Sequence, residues 1–174
     1  MKGLKSGLFL QAIKSPQKNL RMEAAVRRDL PMILIRLIVG LVFLFEGTLK
    51  FVRPGELGAG RFAELGLPFP YQLAPLVGGL EIAGGTAILL NFYAGDAALA
   101  MLGVIVADLI TTRIPILLGR PLGQFAPAKL DNYGWLSFLH EARMDLCLFF
   151  SLLAILIDSG VRMGHRRRWY QSGR

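Results

Sequence analysis

The stretch Phe138-Leu139-His140-Glu141-Ala142-Arg143-Met144-Asp145-Leu146-Cys147 decides how this chain reads. It opens a long apolar run from Trp135 to Ile157, which has the length of a membrane-crossing helix. Five polar or ionisable residues, His140, Glu141, Arg143, Asp145 and Cys147, sit inside the quoted stretch. Such groups are expensive in hydrocarbon, so they are expected to face a protein interior and to meet partners there. The other helices should supply those partners.

Three more apolar segments precede it. Pro31 to Phe51 reads as the first span, with Asp29 as its cap and Pro31 in the first turn, where proline is tolerated. Arg36, Gly40, Phe43, Gly47 and Lys50 form one stripe along it, and the two glycines would let a neighbouring helix approach closely. Glu46 and Lys50 have the spacing of an ion pair within the helix, and Arg36 is near enough to the surface to snorkel. Tyr71 to Tyr93 reads as the second span, with Gly78, Glu81 and Gly85 on one face. Asn91 to Asp96 is short enough only for a tight turn, so the third span, Ala97 to Leu118, pairs with the second as a hairpin. That span carries Asp108, Thr111, Thr112 and Arg113, and Pro115 is expected to kink it. Residues 53–70 and 119–134 read as the longer loops, and the fourth span is expected to end near Asp158-Ser159-Gly160.

Composition agrees with an all-α integral membrane protein of four transmembrane helices. Apolar residues make up 53% of the 174 residues, and the mean hydropathy is +0.49. The net charge of +8 is carried by the ends. Seven Lys/Arg in the first 29 residues face only Glu23 and Asp29, and five more follow from Arg162 with no acid among them. The organisation is therefore a basic, partly helical arm over 1–30, a transmembrane domain over 31–160 and a basic tail over 161–174. Basic segments flanking hydrophobic spans point to both termini lying in the cytoplasm and to contact with anionic lipid rather than nucleic acid. The single cysteine excludes an internal disulfide and a cysteine-rich metal site, and Cys147 reads as a small packing residue.

At about 1.5 Å of rise per residue, the four helices place their ionisable groups in the same half of the membrane, the half on the side of the longer loops. The expected polar cluster is Glu46, Lys50, Glu81, Asp108, Arg113, His140, Glu141, Arg143 and Asp145. Five carboxylates against three cations call for a protonated acid, a water-filled cleft or a bound ligand. Four readings stay open: interhelical ion pairs that fix register, a ligand or redox-partner pocket, a proton relay and, with the least support, a metal site. A di-iron centre would need a Glu-x-x-His pair on each of two helices, and the cluster holds only His140. No phosphate-binding loop or dinucleotide fingerprint is present.

Three segments together resemble the DoxX family of small bacterial four-helix membrane proteins. They are Arg36 with Gly40 to Phe51, then Gly78-Gly79-Leu80-Glu81-Ile82-Ala83-Gly84-Gly85, and then Thr111 to Leu117 with His140 to Asp145. The resemblance runs from about Ile35 to Gly160. The basic arm and the Trp-bearing basic tail depart from the family pattern, which hints at docking to a protein or lipid surface. Some relatives resemble the membrane subunit of a thiosulfate:quinone oxidoreductase, and others associate with membrane redox-defence complexes. The resemblance carries over the fold and the importance of the polar cluster; the leading reading built on both is a small subunit of a redox or electron-transfer assembly in the bacterial inner membrane. Its polar cluster would take a quinone head-group or another small polar ligand, and other membrane subunits would be its partners. The alternative is a non-catalytic structural or assembly subunit.

Overall fold

Helix α1 runs from Asp29 to Val52 in a computed structural model of the chain. The structure describes residues 29–125 and 127–172, with side chains up to residue 160, and the expected N-terminal arm lies almost wholly outside these residues. The chain divides into two compact units, Met1–Ile35 and Arg36–Arg174. Of the first, the described part is the opening of α1.

After α1 come α2 (Ala59–Glu64), α3 (Pro70–Leu89), α4 (Ala94–Asp108), a π-helical turn (Leu109–Arg113), α5 (Ile114–Leu118) and α6 (Trp135–Ser172). No β-strand forms among the described residues; a lone bridge joins Leu122 and Phe125. Three helical segments are long and apolar enough to cross a membrane: Asp29–Val52, Pro70–Leu89 and Ala94–Leu118, with mean hydropathies of 2.2, 1.3 and 1.9.

The expected glycine contacts form. A methyl group placed at Gly40 would stand 2.8 Å from the Gly85 carbonyl oxygen, and one at Gly47 would stand 2.6 Å from that of Gly78. Both pairings keep the same register, so α1 and α3 run antiparallel with their backbones nearly touching. The Asn91–Tyr93 turn, with Asn91 and Tyr93 both left-handed, closes α3 and α4 into the expected hairpin. On α4 the buried residues Ala94, Ala98, Met101, Leu102 and Ile105 recur at helical spacing. The facing stripe on α6 is Ala142, Asp145, Leu148, Leu152 and Ile155. Ser159 of α6 packs against Gly95 at the hairpin end.

Several expectations need correction. The segment 53–70 is more than a loop, because it contains α2. Gly58 and Gly60 allow this fold: an added Cβ would come within 2.5 Å of the Lys50 carbonyl oxygen and 1.9 Å of that of Gly55. The third span is not simply kinked at Pro115. Proline has no N–H to give the Thr111 carbonyl, and the preceding turn has widened into a π-helix in which the Ile114 N–H bonds the Leu109 carbonyl. α6 does not stop near Gly160; it continues to Ser172. No proline follows Gly160, and helix formers such as Met163 and Arg166 to Arg168 do. Cys147 is exposed rather than buried packing.

Candidate functional site

The nine expected cluster residues divide into two buried groups and three surface residues. In the first group Lys50 donates to Glu81 at 2.6 Å, tying α1 to α3. The side chains are only 11% and 5% exposed. The pair forms where the α1 and α3 backbones are closest, beside Gly47 and Gly78, and it replaces the expected Glu46–Lys50 pair. Glu46 instead lies exposed on α1.

Arg113 is the hub of the second group. Its Nε donates to Asp145 at 2.6 Å, and its two terminal nitrogens stand 3.8 Å from Asp108 and 3.7 Å from Glu141. The π-helical turn positions it: the widened turn re-aims the residues before Pro115 toward α6. Thr112, buried in the same turn, donates to the Asp108 carbonyl at 2.6 Å and lies 3.2 Å from its carboxylate. One guanidinium thus serves three carboxylates from α4 and α6. Asp108 is within electrostatic reach of both Glu81 and Asp145, which joins the two groups into one polar region; Arg61, in α2, is also within reach of Asp145.

His140 and Arg143 do not face the interior as expected; both are exposed. The helical repeat explains the split. Glu141 and Asp145 are four apart on the face that continues to Leu148 and Leu152, whereas His140, Arg143, Met144 and Cys147 occupy the outward face. Arg143 bonds the carbonyl of His140 one turn back. No group of metal-ligating residues forms among the described residues.

An open groove of about 650 Å³ lies where the 119–134 loop enters α6. Tyr133, Trp135, Leu136, His140 and Glu141 are among its walls. Glu141 is therefore shared: it lines the groove and it faces Arg113.

Sequence reasoning missed a third buried pair. Arg36 does not snorkel; it donates to Asp158 of α6 at 2.6 Å and is 6% exposed. Its Nε is buried without a hydrogen-bond partner among the described residues. A partial signal was present, since Arg36 and Asp158 are opposite charges toward the hairpin ends of their two helices. The π-helical turn left no such signal beyond Pro115.

Long apolar helices that bury ion pairs between them, with most of their remaining surface apolar, define a small α-helical membrane protein. The chain belongs to the DoxX family: the DoxX family model matches residues 32–113. It is also 38% identical to the uncharacterized membrane protein Rv3486 of Mycobacterium tuberculosis over 136 residues, 78% of this chain and 79% of that protein. No solved structure matches the chain.

Proposed function

We propose that this is a four-span protein of the bacterial inner membrane that serves as a small subunit of a redox or electron-transfer assembly, with the groove at the start of α6 taking the head-group of a quinone or similar small polar ligand. α6 is the fourth span. Its 38 residues extend about 57 Å, against roughly 30 Å of hydrocarbon, and the charges Glu141 and Asp145 that would bar it from lipid are turned toward Arg113. The basic ends support a topology with both termini in the cytoplasm beside anionic lipid, in which the end bearing α2 and the groove faces outward.

The observation that carries this reading is the shared position of Glu141. A ligand in the groove would touch a carboxylate that is itself held by the Arg113 guanidinium, so Glu141 can exchange a proton with that ligand while Arg113 stabilises its charged form. The groove lies within the size range of small-molecule sites, roughly 300–1,000 Å³, and Tyr133, Trp135 and Leu136 offer flat apolar walls for a ring. A quinone, when bound, accepts electrons and protons. Here His140 would hydrogen-bond a carbonyl and Glu141 would hold the proton. Electrons would come from another membrane subunit.

A second reading has its own support. Arg36–Asp158, Lys50–Glu81 and Arg113–Asp145 each join two helices at 2.6 Å, which is what a structural or assembly subunit needs. One experiment separates the two. The protein is purified in mild detergent at native levels, and mass spectrometry identifies bound small molecules and proteins. The ligand reading expects a stoichiometric ring-bearing molecule that is lost from His140→Leu and Glu141→Gln proteins that still insert and fold. A large protein complex with no small molecule in either sample would overturn it in favour of the structural reading.

A further inference from the structure

The two buried groups use up the inward-facing charges and leave two opposite charges on the outward surface. Lys50, one turn from Glu46, is held by Glu81. Asp145 and Glu141, the acids nearest Arg143 on α6, are held by Arg113. Glu46 and Arg143 are both exposed, and neither has an ion-pair partner among the described residues.

Their depths match. At about 1.5 Å per residue, Glu46 lies roughly 9 Å from the Val52 end of α1 and Arg143 roughly 12 Å from the Trp135 end of α6. Both ends are on the side of the longer loops. Arg36–Asp158 pins α1 beside α6, so the two charges are carried by neighbouring helices. Exposed apolar side chains flank each charge: Phe45 beside Glu46, and Met144 beside Arg143. An unpaired charge facing lipid is costly at such depths and is met in membrane proteins by a partner from another helix.

We propose that this surface is a self-association face, in which Glu46 of one copy pairs with Arg143 of a second copy. A two-fold axis makes the contact reciprocal, because a patch that contains both an acid and a base is its own complement. A twofold dimer then carries two such pairs and leaves neither charge facing lipid. The proposal is independent of the groove ligand, since neither Glu46 nor Arg143 lines the groove.

The test uses full-length chains carrying two different tags. Wild-type copies should count as dimers by single-molecule photobleaching after extraction into native-membrane nanodiscs. Glu46→Arg copies alone, and Arg143→Glu copies alone, should count as monomers, because each homodimer would oppose like charges. Co-expressed, the two variants should pair one to one, because a mixed dimer restores both contacts. The lipid-compatible variants Glu46→Leu and Arg143→Leu provide a second reading that does not burden insertion, and each should lower the dimer fraction at least several-fold. A monomeric wild type would overturn the proposal, whether alone, with anionic lipid at Arg143 or with a different membrane protein on this face. So would leucine variants that stay dimeric, or charge-reversed variants that fold but do not pair.

Discussion

Lys50 has two carboxylates near it and takes the one on the other helix. Burial decides the choice: Glu81 is 4% exposed and would otherwise be an uncompensated buried charge, while Glu46 is open to its surroundings. Removing one member of such a pair leaves the other stranded. Lys50→Met is expected to lower stability by about 3–5 kcal/mol, and adding Glu81→Leu should recover most of it. Thermal unfolding in detergent measures both. Equal loss in the single and double variants would mean that packing, not charge, holds α1 to α3. Arg113 carries a heavier load, with three carboxylates facing one guanidinium. Arg113→Lys keeps the charge but loses the fork, so it should keep the Asp145 contact and weaken those to Asp108 and Glu141. In double-mutant cycles the coupling to Asp145 should therefore survive the substitution while that to Glu141 disappears.

Among the elements, close approach of α1 and α3 and the π-helical turn do most to shape the polar region. At Gly47 and Gly78 an added methyl group meets the other helix's backbone, whereas nothing lies within 4 Å of one at Gly79 or Gly103. Gly47→Val is expected to cost about 1–3 kcal/mol and to weaken the Lys50–Glu81 pair, while Gly79→Ala and Gly103→Ala should be neutral or slightly stabilising. Comparable melting temperatures for all three would refute the glycine seam. Pro115→Ala returns an N–H to the helix and should let the π-helical turn relax to α-helix, rotating Arg113 away from α6. In that background the Arg113–Asp145 coupling should fall toward zero. The seam was legible in the sequence because Gly40, Gly47, Gly78 and Gly85 repeat at helical spacing. The π-helical turn was not, because a proline at 115, two residues past the turn's last residue, fits a kink equally well. Nor could spacing alone assign Lys50, which has a carboxylate four residues away in its own helix and another across the interface. His140 and Arg143 were misplaced for a related reason: a short charged stretch gives a helix but leaves open which face turns inward.

For the whole molecule, the family and the membrane location are established, three helices are long and apolar enough to cross a membrane, and the proposed architecture adds α6 as a fourth span. Reporter fusions at both ends should be active only in the cytoplasm, and a reporter inserted at residue 124 only outside. A cytoplasmic signal from residue 124 would remove α6 from the membrane or invert the chain, and the groove would then open to the wrong side. The proposed function stands on the groove at Trp135–Glu141 binding a ring-bearing polar ligand. A photoreactive quinone analogue applied to native membranes, followed by peptide mapping, tests it most directly. Labelling is expected only in the peptide spanning residues 130–141, suppressed by excess unlabelled quinone and lost in Glu141→Gln. Labelling spread over the lipid-facing surfaces of α1 and α3, or unaffected by competitor, would contradict it.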